Sequence, residues 1–310
     1  MYKEKLAILT DAFGTSYRSG DEHLFFCPKC NHHKKKMSVN IVKDKFKCWV
    51  CDYHGSSIRR LVRRYGNYSH QSEWSKFQPD IEISRFEELF FGVGKEEEEQ
   101  LLPLPPEYRP LASASLSLAA KPALRYLARR GVTKDDILRW KIGYCATGEY
   151  AGRVVVPSFN ADGRVNYFVG RSYDNNWKRY MNPPIGRNLV FNELYVDWQS
   201  DLSIVEGVFD AVVAGNAVPI LGSSLREDSR LIKNVVENDT PVYIALDPDA
   251  EKKALRLIKK LLTFDIELYK VDINPYSDVG EMSKEEYQKR KDSAVLMTND
   301  SFLVKAIASI

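Results

Sequence analysis

Two Cys-x-x-Cys pairs, Cys27-Pro-Lys-Cys30 and Cys48-Trp-Val-Cys51, stand 17 residues apart near the start of the 310-residue chain. That spacing is the arrangement of a zinc ribbon, in which each pair forms a tight knuckle and the hairpin between them closes the site. Four thiolates around one tetrahedral ion leave no open position, so the pattern implies one structural Zn²⁺ and no chemistry at it. With four thiolates available, His32, His33 and His54 are expected at the surface. The fifth cysteine, Cys145, stands alone and is expected to be a buried thiol. In a cytosolic chain such pairs point to metal rather than to disulfides.

The residues around the pairs predict a small β-rich module. "HLFFCPKC" and "KFKCWVC" each place an aromatic or apolar run just before a pair. "SSIRRLVRRYG" then sets Ile58, Leu61, Val62 and Tyr65 at helical spacing, with Ser56 or Ser57 as N-cap and Gly66 as the stop. Residues 1–70 carry 14 Lys/Arg against 6 Asp/Glu, whereas the remainder carries 31 against 36. A basic front end on a mildly acidic body suits a polyanion, the alternative being a solvated basic surface. Lys34, Lys35, Lys36, Lys43, Lys45 and Lys47 lie between the knuckles, interleaved with Phe46 and close to Trp49. Lysines neutralise phosphates and aromatic faces stack on unpaired bases, which makes this module a candidate reader of single-stranded DNA. The alternative for Phe46 and Trp49 is that they pack the module's own core.

Beyond the module, residues 67–120 read as linker with helical fragments. They hold the acidic run Glu96–Glu99, "LLPLPPEYRP" and the small-residue tract "LASASLSLAA", compositions that favour solvated, extended chain without chemistry. A second unit starts near Lys121. "PALRYLARRGVTKDDILRWKIGYC" predicts two short helices around a Gly-Val-Thr turn, and "GRVVVPSFNADGRVNYFVGRSY" a hairpin turning at Asn160–Gly163. From about residue 201 strands and helices alternate, the pattern of an α/β fold with a mainly parallel sheet and ligands at the strands' carboxyl ends.

Acids stand at those ends. Glu206 closes "LSIVEG", and Asp247 and Asp249 close "PVYIALDPD". Neighbouring parallel strands would bring the three to one edge, where hard oxygen ligands and substrate phosphates together hold Mg²⁺. Alone, an Asp-x-Asp is more often a solvated pair or a helix cap. The sequence Gly-x₄-Gly-Lys-Ser/Thr is missing, which excludes a P-loop NTPase.

"IVEGVFDAV", "LGSSL" and "YIALDPDAEKKAL" together resemble the Toprim domain shared by DnaG-type primases, topoisomerases and some nucleases. "YLARRGVTKDDILRWKIGYC" and "GRVVVPSFNADGRVNYFVGRSYDNNWKRYMNPP" resemble the opening and the basic subdomain of the primase polymerase core, and narrow the likeness to DnaG-type DNA primases. The four-cysteine ribbon is more similar to phage primases than to the bacterial type, which has a histidine among its ligands.

The resemblance implies a DNA-directed RNA polymerase making short primers on single-stranded DNA. It makes Glu206, Asp247, Asp249 and Asp210 the catalytic acids, with Glu206, Asp247, Asp249 and Asp278 toward Mg²⁺ or Mn²⁺. Tyr276 stands where the family tends to have a partner acid for Asp278. Arg153, Arg171, Lys178, Arg179 and Asn182 fall on the basic subdomain, toward template or nucleoside triphosphate, and Gly207, Gly222 and Ser223 allow close approach of phosphate.

The expected layout is therefore a zinc ribbon over 1–66, the linker over 67–120, a basic α+β subdomain over 121–200, a Toprim α/β subdomain over 201–282 and a helical tail over 283–310. That tail is too short for the helicase-binding domain of the bacterial enzymes, so a separately encoded helicase is the expected partner. No stretch of about 18 apolar residues and no signal peptide occurs. The chain is expected in the cytoplasm, the host's if it is viral. Two rivals remain: a Toprim nuclease or topoisomerase-like enzyme, and a non-catalytic single-strand-binding recombination mediator.

Overall fold

The computed structural model describes residues 1–55, 57–77, 100–174, 177–186, 188–221, 229–264, 266–298 and 301–302. The chain divides into two units, Met1–Val93 and Gly94–Ile310. Among the described residues no helix is long and apolar enough to cross a membrane.

In the first unit, helix α1 (Tyr2–Phe13) precedes a five-stranded antiparallel meander: β1 (Tyr17–Ser19), β2 (Glu22–Phe25), β3 (Met37–Asn40), β4 (Lys45–Cys48) and β5 (His54–Gly55). The two apolar runs ahead of the cysteine pairs are β2 and β4, both hydrogen-bonded to β3, so each strand delivers one knuckle to the same end of the sheet. Helix α2 (Ile58–Tyr65) buries Ile58, Leu61 and Val62 as its spacing predicts, with Ser57 at the N-cap. The Ile58 N–H donates to Asp44 Oδ1 in the β3–β4 turn, satisfying one of the donors a helix start leaves open. Gly66 caps the end of α2, its N–H donating to the Val62 carbonyl, and the close approach suits glycine because a Cβ there would stand 2.4 Å from that oxygen.

Within the stretch expected as linker with helical fragments, Tyr68–Ser75 forms a helix, α3, whose Trp74 joins Leu9, Phe13 and Leu61 in the core of this unit. "YSHQSEWS" has no apolar periodicity; a capping box defines the helix instead. The His70 N–H donates to Asn67 Oδ1, the Asn67 N–H to His70 Nδ1, and His70 Nε2 to Asp11 Oδ2 on α1 at 2.7 Å. The run Glu96–Glu99 lies outside the described residues.

The second unit holds two five-stranded sheets. The first is antiparallel: β6 (Arg109–Pro110), β7 (Gly143–Cys145), β8 (Arg153–Phe159), β9 (Val165–Ser172) and β10 (Tyr180–Met181), in that spatial order. The proline-rich segment is extended, as its composition predicts, but it packs on this sheet. Leu102 and Leu104 lie against the cluster of Cys145, Tyr150, Val155 and Phe168. The hydroxyl of Tyr108 donates to the Lys141 carbonyl, and Gly143 is required because a Cβ would stand 2.1 Å from the Tyr108 ring. Burial pushes the Cys145 thiol up to about 12, the state of an inert buried sulfur.

The expected helix pair is α4 (Lys121–Arg129) and α5 (Lys134–Arg139). Thr133 and Asp136 form a capping box at the start of α5, and Asp136 also pairs with Lys284, 148 residues away. Burial alone would raise the Asp136 carboxyl, but hydrogen bonds from Lys284 and Thr133 outweigh it and hold the group below its ordinary value.

The second sheet runs in the order β12 (Ala217–Pro219), β11 (Leu202–Val205), β13 (Val242–Ala245), β14 (Leu268–Lys270), β15 (Val295–Leu296). It is parallel except for β15, which pairs antiparallel with β14. Side chains alternate across it as a pleat requires. Leu202, Ile204, Val242 and Ile244 face α7 (Arg230–Glu237) and α8 (Glu251–Thr263). Val205, Tyr243 and Ala245 face the other way, onto the core shared with α6 (Val208–Ala214), the antiparallel sheet and α9 (Lys284–Asp292). The tail is thus helical over α9 but then adds a strand; residues 303–310, with most of "SFLVKAIASI", lie outside the described residues.

Candidate metal centres and a basic cavity

The ribbon brings its four cysteines together. Cys27 Sγ lies 3.8 Å from Cys51 Sγ and Cys30 Sγ 3.9 Å from Cys48 Sγ, with all four within 4.8 Å of one another. A tetrahedral ion with Zn–S bonds of about 2.3 Å needs sulfurs about 3.8 Å apart, so the donor set fits zinc. The Val50 N–H donates to Cys48 Sγ, the orientation that steadies a thiolate. Burial pushes the Cys27 thiol up to about 12, a proton a bound cation would displace.

Phe46 and Trp49 part company. Phe46 is 4% exposed and packs the ribbon core, whereas Trp49 is 67% exposed with Lys47 Nζ 5.2 Å from its ring centre. Trp49, Lys43, Lys45, Lys47, Ser38 and Asn40 line an open cleft of about 430 Å³ on the sheet face. Lys34, Lys35 and Lys36 lie on the turn after the first knuckle; Lys35 donates to Thr15 Oγ1.

At the acidic edge, β11 and β13 pair in parallel with Val205 opposite Ala245, so the chain leaves both strands at the same level. Glu206 follows Val205 at once and Asp247 comes two residues after Ala245. Oxygens of Glu206, Asp247 and Asp249 all lie within 4.8 Å of one another. Glu206 Oε2 and Asp247 Oδ1 are buried with no hydrogen-bond partner, and so is Asp278 Oδ1 nearby. Unpaired buried carboxylate oxygens are costly unless a cation faces them, so this hard-oxygen set fits a divalent ion. Burial, then the charges of Asp210, Glu206, Asp278 and Asp249, push the Asp247 carboxyl up to about 7.

Asp210 is arranged differently. Its Oδ2 accepts from the Gly207 N–H at 2.7 Å and its Oδ1 from the Gly280 N–H at 2.8 Å, so it ties the start of α6 to the loop carrying Asp278. Burial pushes its carboxyl up to about 6 against the pull of those two donors. The approach favours glycine at Gly280, where a Cβ would lie 2.9 Å from Asp210 Oδ1, and crowds Gly207, where one would lie 3.1 Å from Oδ2. Gly222 and Ser223 fall outside the described residues.

A cavity of about 760 Å³ opens beside this edge, lined among others by Arg129, Arg130, Arg171, Arg179, Tyr126 and Trp177. Arg171 Nε donates to the Tyr126 hydroxyl at 3.0 Å and its guanidinium lies 4.5 Å from the Tyr180 ring centre. Arg130 stacks over Phe209, the neighbour of Asp210, at 4.9 Å, which joins the basic cavity to the acidic edge. Arg153 is 5% exposed and donates to the carbonyls of Ala151 and Lys178, so it holds the 178 loop from beneath. Lys178 is exposed, and Asn182 Oδ1 is buried without a partner. Sequence reasoning missed Arg129, Arg130 and Trp177: two arginines ending a helix read as ordinary partners of its dipole.

A zinc-ribbon module and a core that joins a basic antiparallel sheet to a parallel sheet with an acidic edge define the class of fold. Known proteins then give it a name. The core has the fold of primase catalytic domains: it matches that of the DnaG primase catalytic domain bound to single-stranded DNA with a TM-score of 0.53 at 21% identity, covering 62% of this chain and 77% of that one. The E. coli primase catalytic core gives a TM-score of 0.51 at 21% identity, over 62% of this chain and 78% of that one. In sequence the chain is 25% identical over 336 residues to a DNA primase of Clostridium acetobutylicum, covering 90% of this chain and 55% of that protein. It is 23% identical over 242 residues to a DNA primase of Thermotoga maritima, covering 72% of this chain and 42% of the relative. The chain thus spans about half the length of these relatives. No protein-family model matches it.

Proposed function

We propose that the chain is a DNA primase, polymerising ribonucleotides on a single-stranded DNA template with a Toprim-type acidic edge. The observation that carries this reading is the meeting of Glu206, Asp247 and Asp249, two of them with orphaned buried oxygens, beside a cavity walled by four arginines. The similarity to DNA primases supports it.

Glu206, Asp247 and Asp249, with Asp278 behind them, would hold Mg²⁺ or Mn²⁺, which when bound offsets phosphate charge. The chain's own residues orient the reactants. Arg130, Arg171 and Arg179 draw the triphosphate and the template phosphates into the cavity, and Tyr126 fixes the plane of the Arg171 guanidinium. Arg153 sets the loop bearing Lys178 and Arg179. Asp210 fixes Gly207 and the Asp278 loop rather than touching substrate. In the reaction a 3′-hydroxyl oxygen bonds to the α-phosphorus of the incoming nucleotide, the bond to pyrophosphate breaks, and the hydroxyl proton passes to solvent or a nearby carboxylate. The ribbon, with Trp49 and its lysines outward, would hold the template strand, and a separately encoded helicase would deliver it.

The test is primer synthesis on single-stranded DNA of mixed sequence with labelled ribonucleotides and Mg²⁺ or Mn²⁺. Short RNA products from the parent and none from the Asp247→Ala, Asp249→Ala variant are expected. No product from the parent, even with a cognate helicase, alongside salt-sensitive DNA binding would replace this reading with that of a binding module.

A further inference from the structure

The acidic edge carries a cation of its own. Lys253 stands in the first turn of α8, and its Nζ donates to Glu206 Oε1 at 2.9 Å. The two side chains are only 30% and 25% exposed. Lys252 and Arg256 on the same helix are exposed, so Lys253 is the one of these three turned inward. The first turn is a poor place for an ammonium, because the N–H groups there present partial positive charge. The pair with Glu206 offsets that cost. It also engages one oxygen of the carboxylate whose other oxygen, with Asp247 Oδ1, is buried without a partner.

A divalent ion among Glu206, Asp247 and Asp249 would sit a few ångströms from this ammonium, and two cations that close repel strongly in a partly buried site. Lysine suits such a position: a compact charge on a flexible four-carbon stem can withdraw, whereas an arginine fork would stay on the carboxylate. We propose that Lys253 is a built-in counter-ion of the acidic edge, which balances Glu206 while the site lacks metal and weakens divalent-ion binding until a nucleotide brings its own negative charge. The inference rests on the divalent-metal reading of Glu206, Asp247 and Asp249.

The test is Mn²⁺ binding to the full chain, dialysed free of Mg²⁺ and Mn²⁺ and without nucleotide, read from the electron paramagnetic resonance of the free ion. Lys253→Met is expected to bind Mn²⁺ about tenfold more tightly than the parent, since a repelling unit charge has gone. Lys253→Arg is expected to bind no more tightly than the parent. The Asp247→Ala, Asp249→Ala variant separates the two ideas. If it binds Mn²⁺ like the parent, the metal reading of the edge fails. If it loses the ion while Lys253→Met binds no better than the parent, the metal reading stands and the counter-ion role is overturned. Lys253→Gln, which keeps a polar tip, replaces Lys253→Met if the latter does not fold, with the same expectations.

Discussion

The ribbon and the acidic edge each gather donors whose chemistry fits a cation, and they gather them in opposite ways. The ribbon gathers four soft donors from a 25-residue stretch, Cys27 to Cys51, on strands that neighbour each other in sequence. The edge gathers hard donors from loops dozens of residues apart, Glu206, Asp247 and Asp249, with Asp278 further on. The ribbon's ligands are themselves part of its core: Cys27 and Cys48 are buried among Phe25, Met37 and Phe46. The edge's ligands stand on a sheet whose core is complete without them, both its faces being covered by apolar residues. A closed site of this kind stabilises the fold that makes it, whereas an open one is carried by the fold and is free to exchange.

The largest effect should break the ribbon. Cys48→Ser is expected to release the zinc and unfold the first unit, since structural zinc in such modules contributes roughly 10 kcal/mol or more. Metal analysis and a two-transition melting curve would check it, the second unit melting as in the parent. An unchanged first transition would show that the metal does not hold this fold. Next comes a pair of aromatic truncations. Phe46→Ala is expected to cost the first unit about 3–5 kcal/mol. Trp49→Ala is expected to move stability by under about 0.5 kcal/mol while weakening single-stranded DNA binding, measured by fluorescence anisotropy. Equal destabilisation by the two would remove the division between core and binding face.

How much could be read beforehand follows the same divide. The ribbon was legible because its ligands, strands and helix are local and their spacing has few other uses. The hairpin at Asn160–Gly163 and the strands ending in Glu206 and Asp247 were legible for the same reason: alternation and turn residues act over a few positions. Helix α3 was hidden because Asn67, His70 and Asp11 define it by hydrogen bonds, and α1 lies about 60 residues upstream of it. Gly280, Arg130 and Lys253 were hidden because each acts on a partner remote in sequence: Asp210, Phe209 and Glu206. Trp177 gave no signal, because exposure of an aromatic is decided by the path of its loop.

Smaller effects test the long-range ties of the second unit. Asp136→Asn is expected to cost about 1–2 kcal/mol, the loss of a capping box and of the Lys284 pair. The Asp136 carboxyl is held below its ordinary value in the folded chain, so its contribution is fully present above the unfolded value of about 4 and is lost as pH falls through the lower folded value. The gap in melting temperature between parent and variant should therefore be constant from about pH 7 to 5 and close only below about pH 4. A gap that changed near neutrality would place the tie elsewhere. The smallest effect belongs to Asp247→Asn without divalent ions. Burial and then the neighbouring acids already disfavour its charge, so the variant should melt at the parent's temperature or slightly above. A large loss would mean that Asp247 supports the fold, and the two sites would differ less than their construction suggests.

Asp210 has a further consequence for how this molecule can change over time. Its two oxygens clasp the backbone of Gly207 and Gly280, which lie 73 residues apart, and a Cβ would stand 3.1 Å from Asp210 at the first position and 2.9 Å from it at the second. The three residues therefore form a lock in which a change to one part presses on the other two. A graft that replaces residues 272–282 with a loop from a relative would succeed only if it brings a small residue at position 280 together with its own acid. A lone change within the lock would shift Asp278, two residues before the clasped Gly280, without altering any of its own atoms.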